Sequence, residues 1–399
     1  AVSALRGLYD ETDPAPLALM LQSSAADVGK AAVDELIAAA SNSSDEAATA
    51  RAADALNAPE RDVRMHALTR LPTLYDKGSL EPLLAALASR HSDVRLAVVD
   101  RLVGSADPRV AEALGKAMES EHEDLQLKAA TLLAQRGDRR TLDVLAGMLR
   151  SERDALSGAA MNALVHLATS RDLRESERAA VRDDVATALV GRFVDDPDAT
   201  ANKRALLKAI GQTGSISAKE LLTDLIEGED SGLRRAAFEV AESIAAFERP
   251  VRENNGIRRK SYDEPFFLSI AGVCMDSVHA DVRQLPVLPL CNVDAPAADG
   301  LLAILVDDRS SDVRIAAVTA LAFRSEHAPG TLAIEALAEV VRDGKRELVM
   351  RAAEGLATAG RREAFQSTLL VLKAGEQHER ESAVISLGVL GDPRGLEEL

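Results

Sequence analysis

The chain has 399 residues, of which 47% are hydrophobic and 3% aromatic, and its formal net charge is −17 at pH 7. Such an acidic chain is not expected to bind nucleic acid generally, because that binding depends on clustered Lys and Arg side chains that displace counterions from phosphate. The apolar residues are mostly Ala, Leu and Val, which suit closely packed helix pairs better than a β-sandwich.

The two cysteines, Cys274 and Cys291, form no CxxC pattern, so neither a disulfide framework nor a zinc site is expected. No run of about 18 uninterrupted apolar residues is present, so no membrane span is expected. We expect a protein of the reducing cytoplasm, with no cofactor.

One phrase returns along the chain, in which Asp-Val-Arg is followed by small apolar residues and closes on an apolar residue nine positions after the Asp, as from Asp93 to Leu102. Most steps between closing residues are 31 residues, two are 35, and two are 46 and 49. The closing residues are Leu5, Leu36, Leu71, Leu102, Leu133, Leu164, Ile210, Ala241, Leu290, Leu321, Leu356 and Leu387. A period of this kind indicates a repeat array.

Each period contains two predicted helices. Val94, Ala97, Val98 and Leu102 form an apolar stripe at helical spacing, which predicts an amphipathic second helix with Asp93 as its N-cap. The preceding first helix is shorter, and a proline such as Pro108 stands at its start, where a missing amide costs little.

The Asp-Val-Arg start, the Ala-Ala pair (Ala316-Ala317) and the Gly-Asp-Pro turn (Gly391 to Pro393) resemble the HEAT repeat family, in particular its bacterial and archaeal PBS-lyase-like members. The resemblance implies an all-α fold, an α-solenoid of about eleven helical hairpins wound as a right-handed superhelix. We predict an N-terminal array in residues 1–245, an insertion in 246–280, and a C-terminal array in 281–399 that continues the first. Both ends fall inside repeats, so we expect the array to extend beyond this chain.

The Asp and Arg of the repeated phrase form two columns. We predict that they serve the repeat itself, with each Asp capping its own helix and each Arg reaching the Asp of the adjacent repeat. The Asp column is Asp27, Asp62, Asp93, Asp124, Asp281 and Asp312, and the Arg column is Arg64, Arg95, Arg234, Arg283, Arg314 and Arg380.

The pattern breaks in two places. The first break, from about residue 166 to 201, is rich in charge and predicts one enlarged first helix. The second, from about 246 to 281, is followed by a second helix that contains Pro286 and Pro289, and these should kink or break it.

The second break is basic and aromatic, unlike the rest of the chain. We predict that it contacts a protein partner, with cations pairing to acidic groups and rings acting as apolar anchors. The residues concerned are Arg258, Arg259, Lys260, Tyr262, Phe266 and Phe267. The alternative is a loop held down by its own Phe side chains, with a solvated basic tip. A second candidate surface is the stripe of the predicted concave face, formed by Asp100, Thr131, Asn162, Lys208 and Glu239.

Catalytic signatures are weak. Resemblance to deoxyhypusine hydroxylase, a HEAT-type enzyme, would demand several His-Glu pairs at helix starts, and His378-Glu379 alone stands at such a position. The sequence therefore favours a non-catalytic scaffold that binds a protein partner within a larger protein or complex. Two alternatives stay open, a regulatory or accessory subunit of an enzyme and a lyase or chaperone for a chromophore.

Overall fold

The computed structural model describes most of the residues of the chain. They are residues 15–41, 46–74, 81–87, 89–102, 107–195, 200–254, 257–327, 331–343, 346–360, 364–375, 377–391 and 394. Leu5, the first predicted closing residue, and the residues from Gly395 onward lie outside the described residues.

Eleven consecutive helical hairpins account for nearly all of the described residues. The first helices are α1 (Ala15–Leu21), α3 (Glu46–Asp54), α5 (Glu81–Ala86), α7 (Pro108–Met118), α9 (Thr141–Leu149), α11 (Glu175–Asp195), α13 (Lys219–Glu227), α15 (Glu264–Asp276), α18 (Pro296–Leu305), α20 (Thr331–Asp343) and α22 (Ala364–Ala374). The second helices are α2 (Ala26–Ser41), α4 (Arg61–Arg70), α6 (Ser92–Leu102), α8 (Glu123–Gln135), α10 (Asp154–Thr169), α12 (Thr200–Thr213), α14 (Ser231–Ala245), the pair α16 (Ala280–Gln284) and α17 (Val287–Leu290), α19 (Ser311–His327), α21 (Arg346–Thr358) and α23 (Gln377–Leu390).

The predicted all-α solenoid of HEAT-type hairpins is confirmed, with one local exception. Between α14 and α15 lies a short antiparallel hairpin of β1 (Arg252–Asn254) and β2 (Ile257–Arg259), paired in the register Asn254 to Ile257. Three short 3-10 turns also occur, at Ala55–Asn57, Leu71–Leu74 and Ile216–Ala218. The enlarged first helix predicted for the first break is α11, of 21 residues.

The described residues divide into two units, residues 1–181 and 182–399. In the first unit α2, α4, α6 and α8 each contact the next second helix, and in the second unit α12 contacts α14, while α19, α21 and α23 stack in turn. The predicted domain limits at 245/246 and 280/281 remain a prediction.

Small side chains allow these second helices to pack closely. A Cβ atom added to Gly355 of α21 would lie 2.5 Å from the Cβ atom of Ala322 in α19, so glycine is required at that crossing. In α10 the buried stripe is Ala160, Ala163, Leu164 and Leu167. The alanine-rich, aromatic-poor composition thus follows from close helix approach.

An arginine near the start of each of five second helices hydrogen-bonds the turn that precedes its own helix. Its Nη1 atom donates to the carbonyl oxygen six residues earlier, at distances of 2.7 to 3.0 Å. The pairs are Arg64 with Ala58, Arg95 with Ser89, Arg234 with Gly228, Arg283 with Ser277, and Arg314 with Asp308. Each guanidinium therefore fixes the turn between the two helices of its repeat.

Four of these guanidinium groups also reach an acid of the following repeat, and together they form what we call the arginine ladder. Arg64 lies 2.6 Å from Asp93, Arg95 3.7 Å from Asp124, Arg234 3.4 Å from Asp281, and Arg283 2.6 Å from Asp308. All four arginines are buried. The predicted contact between adjacent repeats is present, although Arg283 uses Asp308 and not Asp312 of the predicted column. Arg380 is exposed.

Electrostatics in the Arg283–Asp308 pair favours the charged forms. The hydrogen bond from Arg283 holds the pKa of the Asp308 carboxyl below its usual range, and the same bond raises the pKa of Arg283. Both side chains are nearly enclosed, with 5% and 6% exposure, so water screens the pair little.

The prediction that Asp93 is an N-cap is wrong. Helix α6 begins at Ser92, so Asp93 lies in the first turn, where its Oδ1 atom accepts the amide of Val94 at 3.0 Å. Asp124 does the same with Leu125. These carboxylates face the arginine of the preceding repeat, and that contact takes the place of a cap. A capping Asp does occur at α14, where Asp230 accepts the amides of Gly232 and Leu233.

The two prolines break the eighth second helix, as predicted. Pro286 separates α16 from α17, because it has no amide to donate. Arg324 of α19 hydrogen-bonds carbonyls at the C-terminal end of the broken helix, since its Nη1 atom donates to Leu290 at 2.9 Å and to Val293. Its Nε atom pairs with buried Asp299. The broken helix is thus capped by its neighbour.

Replacing Arg64 by Ala should lower the free energy of unfolding by about 2–4 kcal/mol, because buried carbonyl and carboxylate acceptors lose their donor. Arg61→Ala is the matched control, since Arg61 lies 3.8 Å from the same Asp93 carboxylate with 75% of its side chain exposed. It should change stability by less than about 1 kcal/mol. Urea unfolding followed by circular dichroism measures both, and equal midpoints for the two variants would contradict the role given to the ladder.

Candidate functional site

The insertion closes on itself between the end of α14 and the start of α15. The amide of Asp263 donates to the carbonyl of Ala245 at 2.7 Å, which brings the two ends together. The strand register leaves two residues between Asn254 and Ile257, as the Asn-Gly dipeptide predicts for a tight hairpin. Asn255 and Gly256 themselves lie outside the described residues.

A contact to α11 holds the N-terminal side of the insertion. The Arg182 guanidinium lies 4.6 Å from the centre of the Phe247 ring and hydrogen-bonds both carboxylate oxygens of Glu248. Glu248 has a positive φ of 54°. Gly214, with φ of +67°, lies so close that an added Cβ atom would be 2.2 Å from the Phe247 ring. Glycine is required there both for the backbone and for the ring.

The three aromatic residues predicted to anchor a partner lie in the core, so the prediction that they are exposed anchors is wrong. Tyr262 is 7% exposed, Phe266 6% and Phe267 0%. Tyr262 stacks on Phe267 with ring centres 4.7 Å apart, and Phe238 of α14 meets Phe267 edge-on. These rings join α15 to the preceding repeat, which agrees with the alternative of a loop held by its own aromatic side chains.

Of the three cations predicted to contact a partner, the structure describes the side chain of Lys260 alone. Lys260 is exposed, and its Nζ atom lies 2.8 Å from Glu242, which also accepts the Tyr262 hydroxyl at 2.9 Å. Burial, together with the Glu242 charge, raises the pKa of Tyr262, so the phenol stays protonated and donates. The side chains of Arg258 and Arg259 lie outside the described part, and their contact with a partner stays a prediction.

Grooves between consecutive second helices carry most of the predicted stripe. Asp100 and Thr131 line a groove of about 400 Å³ between α6 and α8, where Lys128 pairs with Asp100 at 2.7 Å. Lys208 and Glu239 line a groove of about 640 Å³ between α12 and α14. Asn162 is exposed on α10. Within each unit, we call the side of the second helices that bears these grooves the second-helix face.

A third groove, of about 450 Å³, lies beside the broken helix, between α17 and α19. It is lined mainly by apolar groups, among them Val287, Phe323 and Leu288, whose side chain is 76% exposed. The sequence reading did not single out this groove. Leu288 nevertheless lies two residues before the closing residue of its repeat, the same repeat position as Asp100 and Lys208. Extending the predicted stripe to this repeat would therefore have identified it.

No protein-family model matches this chain, and no curated protein sequence matches it. Solved structures resemble it in fold. Importin beta in an ammonium sulfate condition is 17% identical, with 96% of this chain and 52% of that chain covered and a TM-score of 0.46. Kap121p bound to Pho4p is 13% identical, with 93% and 46% covered and a TM-score of 0.42. The chain thus spans about half the length of each.

A further likeness is to the complex of CpcE and CpcF of phycocyanin lyase from Nostoc sp., at 17% identity, with 66% of this chain and 94% of that chain covered and a TM-score of 0.32. These likenesses concern the fold alone. Within the described ranges, no three His, Cys, Asp or Glu side chains gather as a metal site would require. None of the described helices is long and apolar enough to cross a membrane.

Gly214→Ala should lower the free energy of unfolding by about 1–3 kcal/mol, because a left-handed backbone must hold a Cβ atom and the Phe247 ring must move. Gly191→Ala in α11 is the matched control, since an added Cβ atom there meets no described atom within 4 Å. That change should be neutral or stabilising by up to about 1 kcal/mol. Thermal unfolding measures both variants. A Gly214→Ala protein as stable as Gly191→Ala would show that the contact does not hold the insertion.

Proposed function

We propose that this protein is a non-catalytic α-solenoid scaffold that binds a segment of another protein on its second-helix face. The observation that carries the proposal is where the grooves lie. Three grooves of about 400 to 640 Å³ open between consecutive second helices. A groove between the first helices α18 and α20, by comparison, has about 60 Å³.

The chemistry of these grooves supports a peptide segment as the ligand. Each combines apolar side chains with a few charged or amide groups, the mixture found at protein interfaces. Beside the broken helix, Leu288 presents an aliphatic side chain to solvent within an apolar groove. Concave, mainly apolar grooves with a few polar groups are the usual form of binding sites.

The buried charges of the second helices support a scaffold in a different way. Arg64 and Arg283 donate hydrogen bonds to the turns of their own repeats and to acids of the next repeat. Because these guanidinium groups already hold neighbouring repeats together, they are not free to bind a ligand. We propose that binding depends instead on exposed positions whose residues differ between repeats. Lys260, with Arg258 and Arg259, stays a proposed second contact, now as a basic tip without the aromatic anchors.

The resemblance to bacterial and archaeal PBS-lyase-like HEAT proteins remains a proposal that rests on the repeated motif. A cytoplasmic location is proposed likewise, and the two free, buried cysteines agree with it. Burial raises the pKa of the Cys274 thiol to about 12, so this thiol is unreactive at neutral pH.

Leu288→Asp should weaken binding of the protein partner by about 1–3 kcal/mol, because a charge would replace an apolar contact in the groove. The partner is first identified by affinity purification of the full-length protein with mass spectrometry, and its affinity is then measured by titration calorimetry. Ile304→Asp is the matched control, because Ile304 is an aliphatic residue of the first helix α18 with 66% exposure.

The control should bind as the unaltered protein does, with both variants retaining their helical circular dichroism. Loss of binding with Ile304→Asp, and retention with Leu288→Asp, would place the partner on the first-helix side and contradict the proposal. Failure of the full-length protein to retain any protein partner would contradict the scaffold function itself.

A further inference from the structure

The groove between α12 and α14 concentrates positive charge in a strongly acidic chain. Arg204 and Lys208 enter it from α12, and Arg235 enters it from α14. One carboxylate, Glu239, lines the same groove. The Asp230 carboxylate lies beside Arg204, so three cations face two acids. The groove thus keeps a positive balance in a chain whose formal charge is −17.

These cations are not neutralised by neighbours in the way that other cations of the second-helix face are. In the groove between α6 and α8, Lys128 pairs with Asp100 at 2.7 Å, and on α2 Lys30 lies 3.5 Å from Asp62. Within the part of the chain that the structure describes, Arg204, Lys208 and Arg235 form no ion pair with a carboxylate.

Arg204 spans the groove toward α14. Its Nη2 atom would lie 2.9 Å from a Cβ atom added to Gly232, so the guanidinium rests over the first turn of α14. Asp230 lies beside it, but the Asp230 carboxylate is engaged as the cap of α14, where it accepts the amides of Gly232 and Leu233. The amide of Leu233, and to a smaller extent the amide of Gly232 and the charge of Arg204, lower the pKa of Asp230. This carboxylate therefore stays charged as the cap of α14 and offsets part of the Arg204 charge.

The floor of the groove is small and apolar. Gly211 and Ala236 leave room near the helix axes, and Leu207 and Val240 supply aliphatic surface. A peptide can therefore approach the helices closely while its acidic side chains reach the cations above. None of the lining residues is aromatic, so the groove offers no ring on which a nucleic-acid base could stack.

We propose that this groove binds an acidic segment of the partner protein, with Asp or Glu carboxylates paired to Arg204, Lys208 and Arg235. The inference rests on the proposed scaffold function and names the chemistry of the ligand. Arginine suits this role, because its planar guanidinium donates two parallel hydrogen bonds to one carboxylate.

The test uses the full chain and synthetic fluorescent peptides in place of the native partner. One peptide alternates Glu with Ala and Leu, a second replaces every Glu by Gln, and a single-stranded RNA oligonucleotide is the third probe. Fluorescence anisotropy gives each affinity at low and at physiological salt. The groove variant is Arg204→Glu, Lys208→Glu and Arg235→Glu combined. The control variant carries the same charge change at exposed cations of turns and first helices, Arg150→Glu, Arg171→Glu and Lys219→Glu.

The acidic peptide should bind the unaltered protein and the control variant, and should lose affinity for the groove variant by on the order of tenfold or more. Its affinity should fall as salt rises, because exposed charge pairs are screened. The Gln peptide should bind weakly to all three proteins. A second variant with lysine at Arg204 and Arg235 should retain part of the affinity, which separates charge from misfolding.

The inference is overturned if the acidic peptide does not bind the unaltered protein, if it binds the groove variant equally well, or if the RNA binds this groove more tightly than the peptide does. The probes do not depend on the native partner, so failure of this inference can be told apart from failure of the proposed function. If the acidic peptide does not bind while partner binding still depends on Leu288, the acidic-segment inference is wrong and the scaffold function stands.

Discussion

The fold depends on a guanidinium that is shared between neighbouring repeats. In the arginine ladder each side chain donates to the turn of its own hairpin and reaches an acid of the next, so one residue fixes both the shape of a repeat and its place against its neighbour. Alanine and glycine between the second helices allow the close approach on which these contacts depend. A buried guanidinium is costly unless its donors are satisfied, and here carbonyl and carboxylate oxygens provide most of the acceptors.

The departures from the repeat are stabilised by further arginines. Arg182 holds the start of the insertion through Phe247 and Glu248, and Arg324 caps the helix that Pro286 interrupts. These contacts let the array tolerate an insertion and a broken helix without exposing buried polar groups. The broken helix in turn borders an apolar groove. The break at Pro286 therefore interrupts a helix and also borders one of the grooves proposed to bind a partner segment.

Much of the fold could be predicted from the sequence because many of the repeats carry the same residue types at the same places. The Arg column, the number of hairpins and the break at Pro286 follow from spacing and from the chemistry of proline. The repeat pattern predicts that Asp93 meets an arginine 29 residues earlier. It does not reveal that the helix begins at Ser92, which places Asp93 in the first turn and not at the cap. Burial of Phe266 and Phe267 depends on Tyr262 and Phe238 covering them. The basic groove forms only when α12 and α14 lie side by side, so the sequence positions of Arg204 and Arg235 alone do not predict it.

The most direct test of the account is a double-mutant cycle on Arg283 and Asp308, which join consecutive repeats at 2.6 Å with both side chains almost fully buried. Urea unfolding of the unaltered protein, Arg283→Met, Asp308→Asn and the double variant gives the coupling energy. The account predicts a coupling of about 1–3 kcal/mol, with the double variant less destabilised than the sum of the single changes. Additivity within about 0.5 kcal/mol would contradict it, because the pair would then contribute nothing to the stacking of the repeats.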